Sequence, residues 1–485
     1  MMRERTDARH EHRMPGDADA EQLRLWMALA EQTARAELLS RQLSEIRSSR
    51  SWRLTSGMRR FAAWMRGPEP RAGLRLPDLS SEAAPPQLLS SFAPEMIQTW
   101  VRRTQCTDLA TLLVDVTEVD LEDLGAGIQR VTRHVLLELI STQSQVRVVP
   151  VRLSVDGRYC PAWRFSERLL GLPEGLLGAE PPIAVGPDDC FLGLDFCRRH
   201  HAAFGLAIEH LRQAGARIMV MVYDLLPCTH PHWFPDVVAA DYRKWLQHAA
   251  RCDVAICISE TTREALTRVL AEEKLPFPGS AAVVPLGADA LPVFPRTKAS
   301  ANAKVLLVGT VEPRKGHADA LDAMERLWSR DTAVDLVIVG RPGWHSRDLQ
   351  QRIVRHREYG RRLVWESSAA DTNLARHYAE ADLLVMASEG EGYGLPLAEA
   401  GRAGCRLIAR DLPIFREVAA TRASYFCSSQ SLEASVDAFL RDPAGWPDPQ
   451  APAWNTWRES ALAIMAHTKM IGSEREARRR EGVSE

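Results

Sequence analysis

The segment DLLVMASEGEGYGLPLAEAGRAG (382–404) decides the fold. Its first five residues are an apolar run of the kind found in strands buried on both faces of a parallel sheet. Three glycines follow (Gly390, Gly392, Gly394), then Pro396 where a helix should begin and an apolar-periodic stretch after it. A strand, a glycine loop and a helix in that order form the right half of a βαβ unit. In such units ligands gather at the carboxyl end of the strand. The helix start offers unpaired N–H groups and partial positive charge to an anion. Glu391 stands in the glycine loop, and Glu399 is expected in the first helical turn. Two carboxylates so spaced suit sugar hydroxyls on either side of a phosphate. Glu399 alone would read as an acid serving the helix dipole; Glu391, in a turn with three glycines, is harder to explain structurally.

Moving outward, the same grammar repeats. KVLLVG (304–309), VDLVIV (334–339), RLVW (362–365), DLLVM (382–386) and CRLIA (405–409) alternate with helical stretches. Upstream, TLLVDV (111–116), VRVVPVRL (146–153), CFLGLDF (190–196), IMVMVYDL (218–225), VAICIS (254–259) and AAVVPLG (281–287) form an earlier series. The aperiodic LPVFPRTKASANA (291–303) divides them. The expectation is an α/β chain of two consecutive doubly wound units. The first spans 105–295 and the second 296–450, with a C-terminal helix and polar tail at 451–485. Residues 1–66 read as a tail plus a helical extension, and the Pro- and Ser-rich 67–104 as a linker.

The loop after the first strand of the second unit, GTVEPRKGH (309–317), carries Arg314 and Lys315. Arginine forks onto phosphate oxygens and lysine adds a point charge; in isolation the two would read as a solvated loop pair. In the first unit, LVDVTEVDLEDLGAGIQRVTRHVLLEL (113–139) reads strand, glycine loop (Gly125, Gly127), helix. It is not GxGxxG. VYDLLPCTHPHWF (222–234) puts Asp224 at a strand end, to meet an acceptor or donor hydroxyl or simply to cap the strand. Cys228, His230 and His232 lack the spacing of a closed zinc site. In ISETTREAL (258–266), Ser259 or Thr261 is expected as the helix cap, with Glu264 completing a capping box in the second case.

These motifs resemble the retaining glycosyltransferases of family 4, which have the GT-B fold of two Rossmann-like domains facing a cleft. The likeness rests on EGYGLP…E (391–399), EPRK (312–315), IVGRPGWHSRDL (338–349) and RLIARDLPIFREVAATRASYF (406–426), and runs over about 105–470. GAGIQRV (125–131) resembles the TGIQRV motif of a subgroup containing bacterial mannosyltransferases, with Ala126 in place of threonine. Tyr223 stands where many members have His. The resemblance implies that Arg314 and Lys315 hold the donor diphosphate, Glu391 the donor sugar and Glu399 the ribose. Gly340, Gly392, Tyr393, Gly394 and Leu395 complete the donor site, and Gly125 and Gly127 the cleft loop. It implies catalysis by Glu391, Asp224, Arg314 and Lys315, front-face retention, and no cofactor. It further implies a nucleotide-sugar donor, tilted towards GDP-mannose, and a glycan or lipid-linked glycan acceptor. An epimerase or phosphorylase on the same fold, or a non-catalytic scaffold, are the alternatives.

Composition narrows the field. The chain has 485 residues, 45% of them hydrophobic, and a formal net charge of -2. Near-balance disfavours a protein built to coat nucleic acid. The only plain Asp-x-Asp is Asp17–Asp19, near the N-terminus, so fixed cations rather than a metal are expected to meet the leaving diphosphate. The nine cysteines are dispersed without a CxxC pair, which reads as reduced thiols. No apolar stretch reaches the roughly 18–20 residues of a spanning helix, so a cytoplasmic protein is expected. Leu25, Leu29, Ala36, Leu39, Leu43 and Ile46 form about three heptads, a self-associating coiled coil or an amphipathic helix on the body. Residues 51–66, with Trp52, Arg53, Arg59, Arg60, Trp64 and Arg66, suit the inner face of an anionic membrane, or a solvated basic face on the enzyme. SRSWRLT (49–55) resembles a segment of some bacterial polysaccharide-assembly enzymes.

Overall fold

The computed structural model describes residues 94–468, apart from 107–108, 124, 126, 143–145, 198 and 298–300. The heptad stripe at 25–46 and the basic segment at 51–66 lie outside the described residues. Residues Pro94–Ala162 and those from Glu180 onward belong to one compact unit; Trp163–Ala179 falls in another. Within that short excursion a helix, Trp163–Leu170, is closed by Glu167, whose carboxylate accepts the N–H of Gly175 (2.9 Å) and of Leu177 (2.8 Å).

The main unit holds two sheets. The first has strands β1 (Thr111–Asp115), β2 (Arg147–Leu153), β3 (Tyr159–Pro161), β4 (Cys190–Gly193), β5 (Arg217–Val222), β6 (Val254–Cys257) and β7 (Ser280–Val283). Their order is β3-β2-β1-β4-β5-β6-β7, parallel except for the β2–β3 pair. The second has β8 (Ala303–Val308), β9 (Val334–Val339), β10 (Leu363–Glu366), β11 (Leu383–Met386), β12 (Arg406–Arg410) and β13 (Ala423–Phe426). These run parallel in the order β10-β9-β8-β11-β12-β13, the doubly wound 3-2-1-4-5-6 arrangement. All eleven runs read as strands from their apolar, β-branched composition become strands. The antiparallel β3 and the edge strand β13 were not among them.

The apolar runs explain the sheets. Leu306, Leu336, Ile338, Leu383 and Leu384 are wholly buried, with helices over both faces. Against the second sheet the helix His317–Trp328 lays Leu321, Met324, Leu327 and Trp328, spaced three and four apart as a helical stripe demands. Trp328 donates its indole N–H to Val334 O at 2.8 Å, so this large ring is buried without an orphaned donor.

One sequence expectation is corrected. The linker reading of 67–104 fails at its end: Pro94–Thr104 is an α-helix. Ile97 and Trp100 form its buried stripe, and Trp100 Nε1 donates to Val148 O at 2.9 Å on β2. A three-residue apolar spacing outweighed the Pro-rich stretch before it. The last helix, 457–468, follows the second lobe in sequence. It docks on the end of the first: Trp457 N donates to Asp289 Oδ1 at 2.7 Å and Ser460 Oγ to Pro285 O at 2.7 Å. No described helix is long and apolar enough to cross a membrane, and all nine cysteines are free thiols.

Candidate functional site

In the second sheet the chain leaves β8 towards one side and β11 towards the other, although the two strands are neighbours. The crevice beyond such a switch point is where open α/β sheets bind ligands. Both chemically informative loops end there. After β8, Pro313–Lys315 forms a single 3₁₀ turn closed by Gly316 in the left-handed region. After β11, residues 387–394 lead into the helix Leu395–Arg402. Glu389 N donates to Arg314 O at 2.7 Å, which ties the loops together by backbone.

The side chains converge in the same place. Arg314 donates from Nη1 to Gly390 O at 3.0 Å, and its Nη2 lies 2.8 Å from Glu312 Oε1. Lys315 Nζ donates to Glu391 Oε1, and Ser388 Oγ reaches the same oxygen at 2.8 Å. Arg314 Nη1 stands 3.5 Å from Glu391 Oε2. Burial alone would raise the Glu391 carboxyl; Lys315 and Arg314 overcome it and hold the group below the usual carboxylate range. Asp224 and Glu312 go the other way. Burial dominates there and raises both, with Arg314 opposing in each case. Two cations therefore share three acids.

The first lobe supplies the opposite wall. Gly392 lies so close that a Cβ on it would stand 1.8 Å from Tyr223 O and 3.1 Å from Asp224 Cβ. Only glycine fits this approach. Ser259 is the cap of the helix Glu260–Glu272, its Oγ accepting from Thr262 N at 3.0 Å, so the alternative cap at Thr261 is set aside. The same Oγ donates to Gly392 O at 2.9 Å. Tyr223 buries its ring and donates to Leu194 O at 2.5 Å, so its hydroxyl is committed within the first lobe. Tyr393, also in the glycine segment, donates to Leu286 O at 2.9 Å.

Gly394 takes φ +95°, a left-handed cap that a side chain would strain, and starts the helix at Leu395. Pro396 is thus the second helical residue, and Glu399 the fifth, one residue past the first turn in which it was expected. Glu399 is buried, and its partner comes from the other lobe. Arg130, in the first turn of the helix Gly127–Ser141, reaches Oε1 at 2.5 Å through Nη2 and Oε2 at 3.4 Å through Nη1. Tyr378 donates to Oε2 at 2.9 Å. Gly340 ends β9 packed against the backbone of Gly309. Gly125, at φ +63°, and Gly127 have open space where side chains would be.

Of the residues singled out from sequence, Arg314, Lys315, Glu391, Gly392 and Asp224 come together directly. Glu399 lies in the helix that follows, while Gly125 and Gly127 precede the helix that carries Arg130. Sequence reasoning missed Arg130, Tyr378, Ser259 as a loop contact, and Ser388. Arg130 was within the quoted GIQRV motif; nothing local announces a partner 269 positions away.

Residues 294–453 match the family described as glycosyl transferases group 1. The chain is 32% identical over 381 residues to a serotype-specific mannosyltransferase WbdA of Escherichia coli, covering 74% of this chain and 46% of that protein. It is 30% identical over 132 residues to the O-antigen chain mannosyltransferase B of Escherichia coli, covering 27% of this chain and 34% of that one. The chain thus spans less than half the length of the curated relatives it matches. A sucrose-phosphate synthase from Thermosynechococcus elongatus superposes with a TM-score of 0.50 at 16% identity, over 77% of this chain and 100% of that one. The two Rossmann-like lobes form the GT-B fold.

Proposed function

We propose that this chain transfers a hexose from a nucleotide-sugar to a hydroxyl of a glycan or lipid-linked glycan, with retention at the anomeric carbon and without a metal. One observation carries the reading: Arg314, Lys315 and Glu391 meet at the β8/β11 switch point, beside the start of the helix Leu395–Arg402. The breaking bond joins the sugar's anomeric carbon to a diphosphate oxygen. Charge grows on that oxygen as the bond lengthens. Arg314, Lys315 and the helix start are fixed counter-charges for it, already oriented and largely shielded from water. The acceptor oxygen attacks from the same face, its proton passing to the departing diphosphate oxygen. Glu391 then orients the donor sugar through hydroxyls, Asp224 approaches from the first lobe, and Glu399 takes the ribose.

GDP-mannose is the proposed donor, supported by the mannosyltransferase names of the two relatives above. The test is a thermal-shift screen with GDP-, UDP- and ADP-sugars, since a ligand that binds only the folded state raises its melting point. GDP-mannose is expected to give the largest rise. Incubation with an oligosaccharide acceptor should then release GDP and extend the glycan with the anomeric configuration kept. No stabilisation by any nucleotide-sugar would refute the reading. Conversion of the donor without an acceptor would replace it with an epimerase.

A further inference from the structure

The second acid of the glycine segment is held by a residue that no motif assigns a role. Glu399 is a carboxylate with a side chain 2% exposed, and Arg130 a guanidinium 12% exposed, from opposite lobes. A charge so deeply buried needs a paired, hydrogen-bonded partner to stay ionised. Arg130 places one prong on each carboxylate oxygen, the two-point geometry that fixes a carboxylate's plane as well as its charge. Tyr378 takes a further lone pair on Oε2. An ionised carboxylate offers about four acceptor positions. Three are used, which leaves one, on Oε1, for an incoming hydroxyl.

We infer that Arg130 is a positioning residue that aims the remaining Oε1 acceptor of Glu399 at a single ribose hydroxyl of the donor, and does so only when the two lobes are together. This rests on the ribose reading of Glu399 given above. Arg130 itself touches no donor atom; it acts through the carboxylate. Its second acidic neighbour, Asp371, is 4.0 Å from Nε and nearly half exposed, so it holds the guanidinium far more weakly than Glu399 does. The lobe-to-lobe origin of the pair makes ribose selectivity a property of the closed enzyme. Gly127 opens the helix bearing Arg130, so a motif in the first lobe would serve nucleotide recognition in the second.

Calorimetry with GDP and UDP, each against its 2′,3′-dideoxy form, tests this, because the ratio of the two affinities reads the ribose contact alone. Whichever base binds more tightly, wild type is expected to prefer the ribonucleotide at least about tenfold, the effect of a hydrogen bond to a charged group. Arg130→Ala should bring that preference below about threefold while dideoxynucleotide affinity stays within about threefold of wild type. Arg130→Lys should fall between, having the charge but not the fork, and carries the test if the alanine variant melts far below wild type. Glu399→Gln should lose the preference as well, and Arg130→Ala/Glu399→Gln should lose no more than Glu399→Gln. An undiminished ribose preference in Arg130→Ala and Arg130→Lys would overturn the inference while leaving Glu399 its role. So would losses that multiply in the double variant, which would mean that Arg130 acts on its own. A wild-type enzyme with no ribose preference would overturn the reading of Glu399 and the inference with it.

Discussion

The two lobes present the same topological feature and fill it differently. The first sheet switches direction between β1 and β4, the second between β8 and β11. At the first switch point the acids are spent on the fold. Asp115 accepts from Thr117 N (2.9 Å) and Tyr159 Oη (3.1 Å), with Cys197 Sγ at 3.1 Å. Asp195 accepts from Val119 N (2.6 Å) and Phe196 N (2.8 Å). Burial, then Asp115, raises Asp195 to about 7. These carboxyls close turns and cap a short helix. At the second switch point, two cations face three acids and the start of a helix. Topology marks the same place in both lobes; the residue types there differ, acids bound to backbone N–H, hydroxyl and thiol groups at the first and acids paired with cations at the second.

The comparison breaks most readily at Lys315 and Glu391. Glu391→Ala is expected to lower kcat by about 10³ or more, and Lys315→Ala to lower kcat/KM for the donor by about 10²–10³, the range for removing one preorganised electrostatic partner. Both should melt within a few degrees of wild type. Asp195→Asn, at the other switch point, should leave donor kcat/KM within about threefold. A loss there as large as that of Lys315→Ala would mean that the first switch point also serves the donor. Gly392→Ala sharpens the picture at the contact between lobes. Its Cβ would overlap Tyr223 O, so the loop must retreat, and kcat should fall about 10- to 100-fold with a smaller change in nucleotide affinity. Wild-type turnover by this variant would show that the close approach is not needed for catalysis.

Much of this was legible in advance because it is local. Strands announce themselves as apolar β-branched runs, and EGYGLP and EPRK each sit between a strand and a helix. That both loops reach one crevice follows from the doubly wound order, which two strand–helix series already imply. What stayed hidden is carried by pairs distant in sequence. Arg130 and Glu399 are joined by geometry alone, as are Ser259 and Gly392. Trp457 and Ser460 bind the far lobe because the chain returns across the linker, and a helical stripe does not say which surface will cover it. The helix Pro94–Thr104 was readable from Ile97 and Trp100, but the proline-rich stretch before it took precedence.

The smallest net change expected in wild type is in stability between about pH 4.5 and 6.5, because the groups involved differ in sign. Asp195 rises from 3.8 to about 7 on folding. The folded state therefore binds its proton more tightly, and this stabilisation is complete below about pH 4 and lost as pH climbs to about 7. It amounts to about 4 kcal/mol at most, from roughly 1.4 kcal/mol per unit. His317 has the opposite sign. It is buried in the second lobe with neither ring nitrogen hydrogen-bonded, and burial, then Lys315, lowers it from 6.5 to about 3. The folded state refuses that proton, so stability is present above about pH 6.5 and erodes as pH falls towards 3. Between pH 4.5 and 6.5 the two groups oppose each other. Melting curves should show wild type changing little from these two groups across that window. Asp195→Asn should lose stability on acidification more steeply, and His317→Leu less steeply, than wild type. Parallel curves for all three would mean that neither group changes its protonation on folding, and that the acid at the first switch point is held ionised by its hydrogen bonds despite its burial.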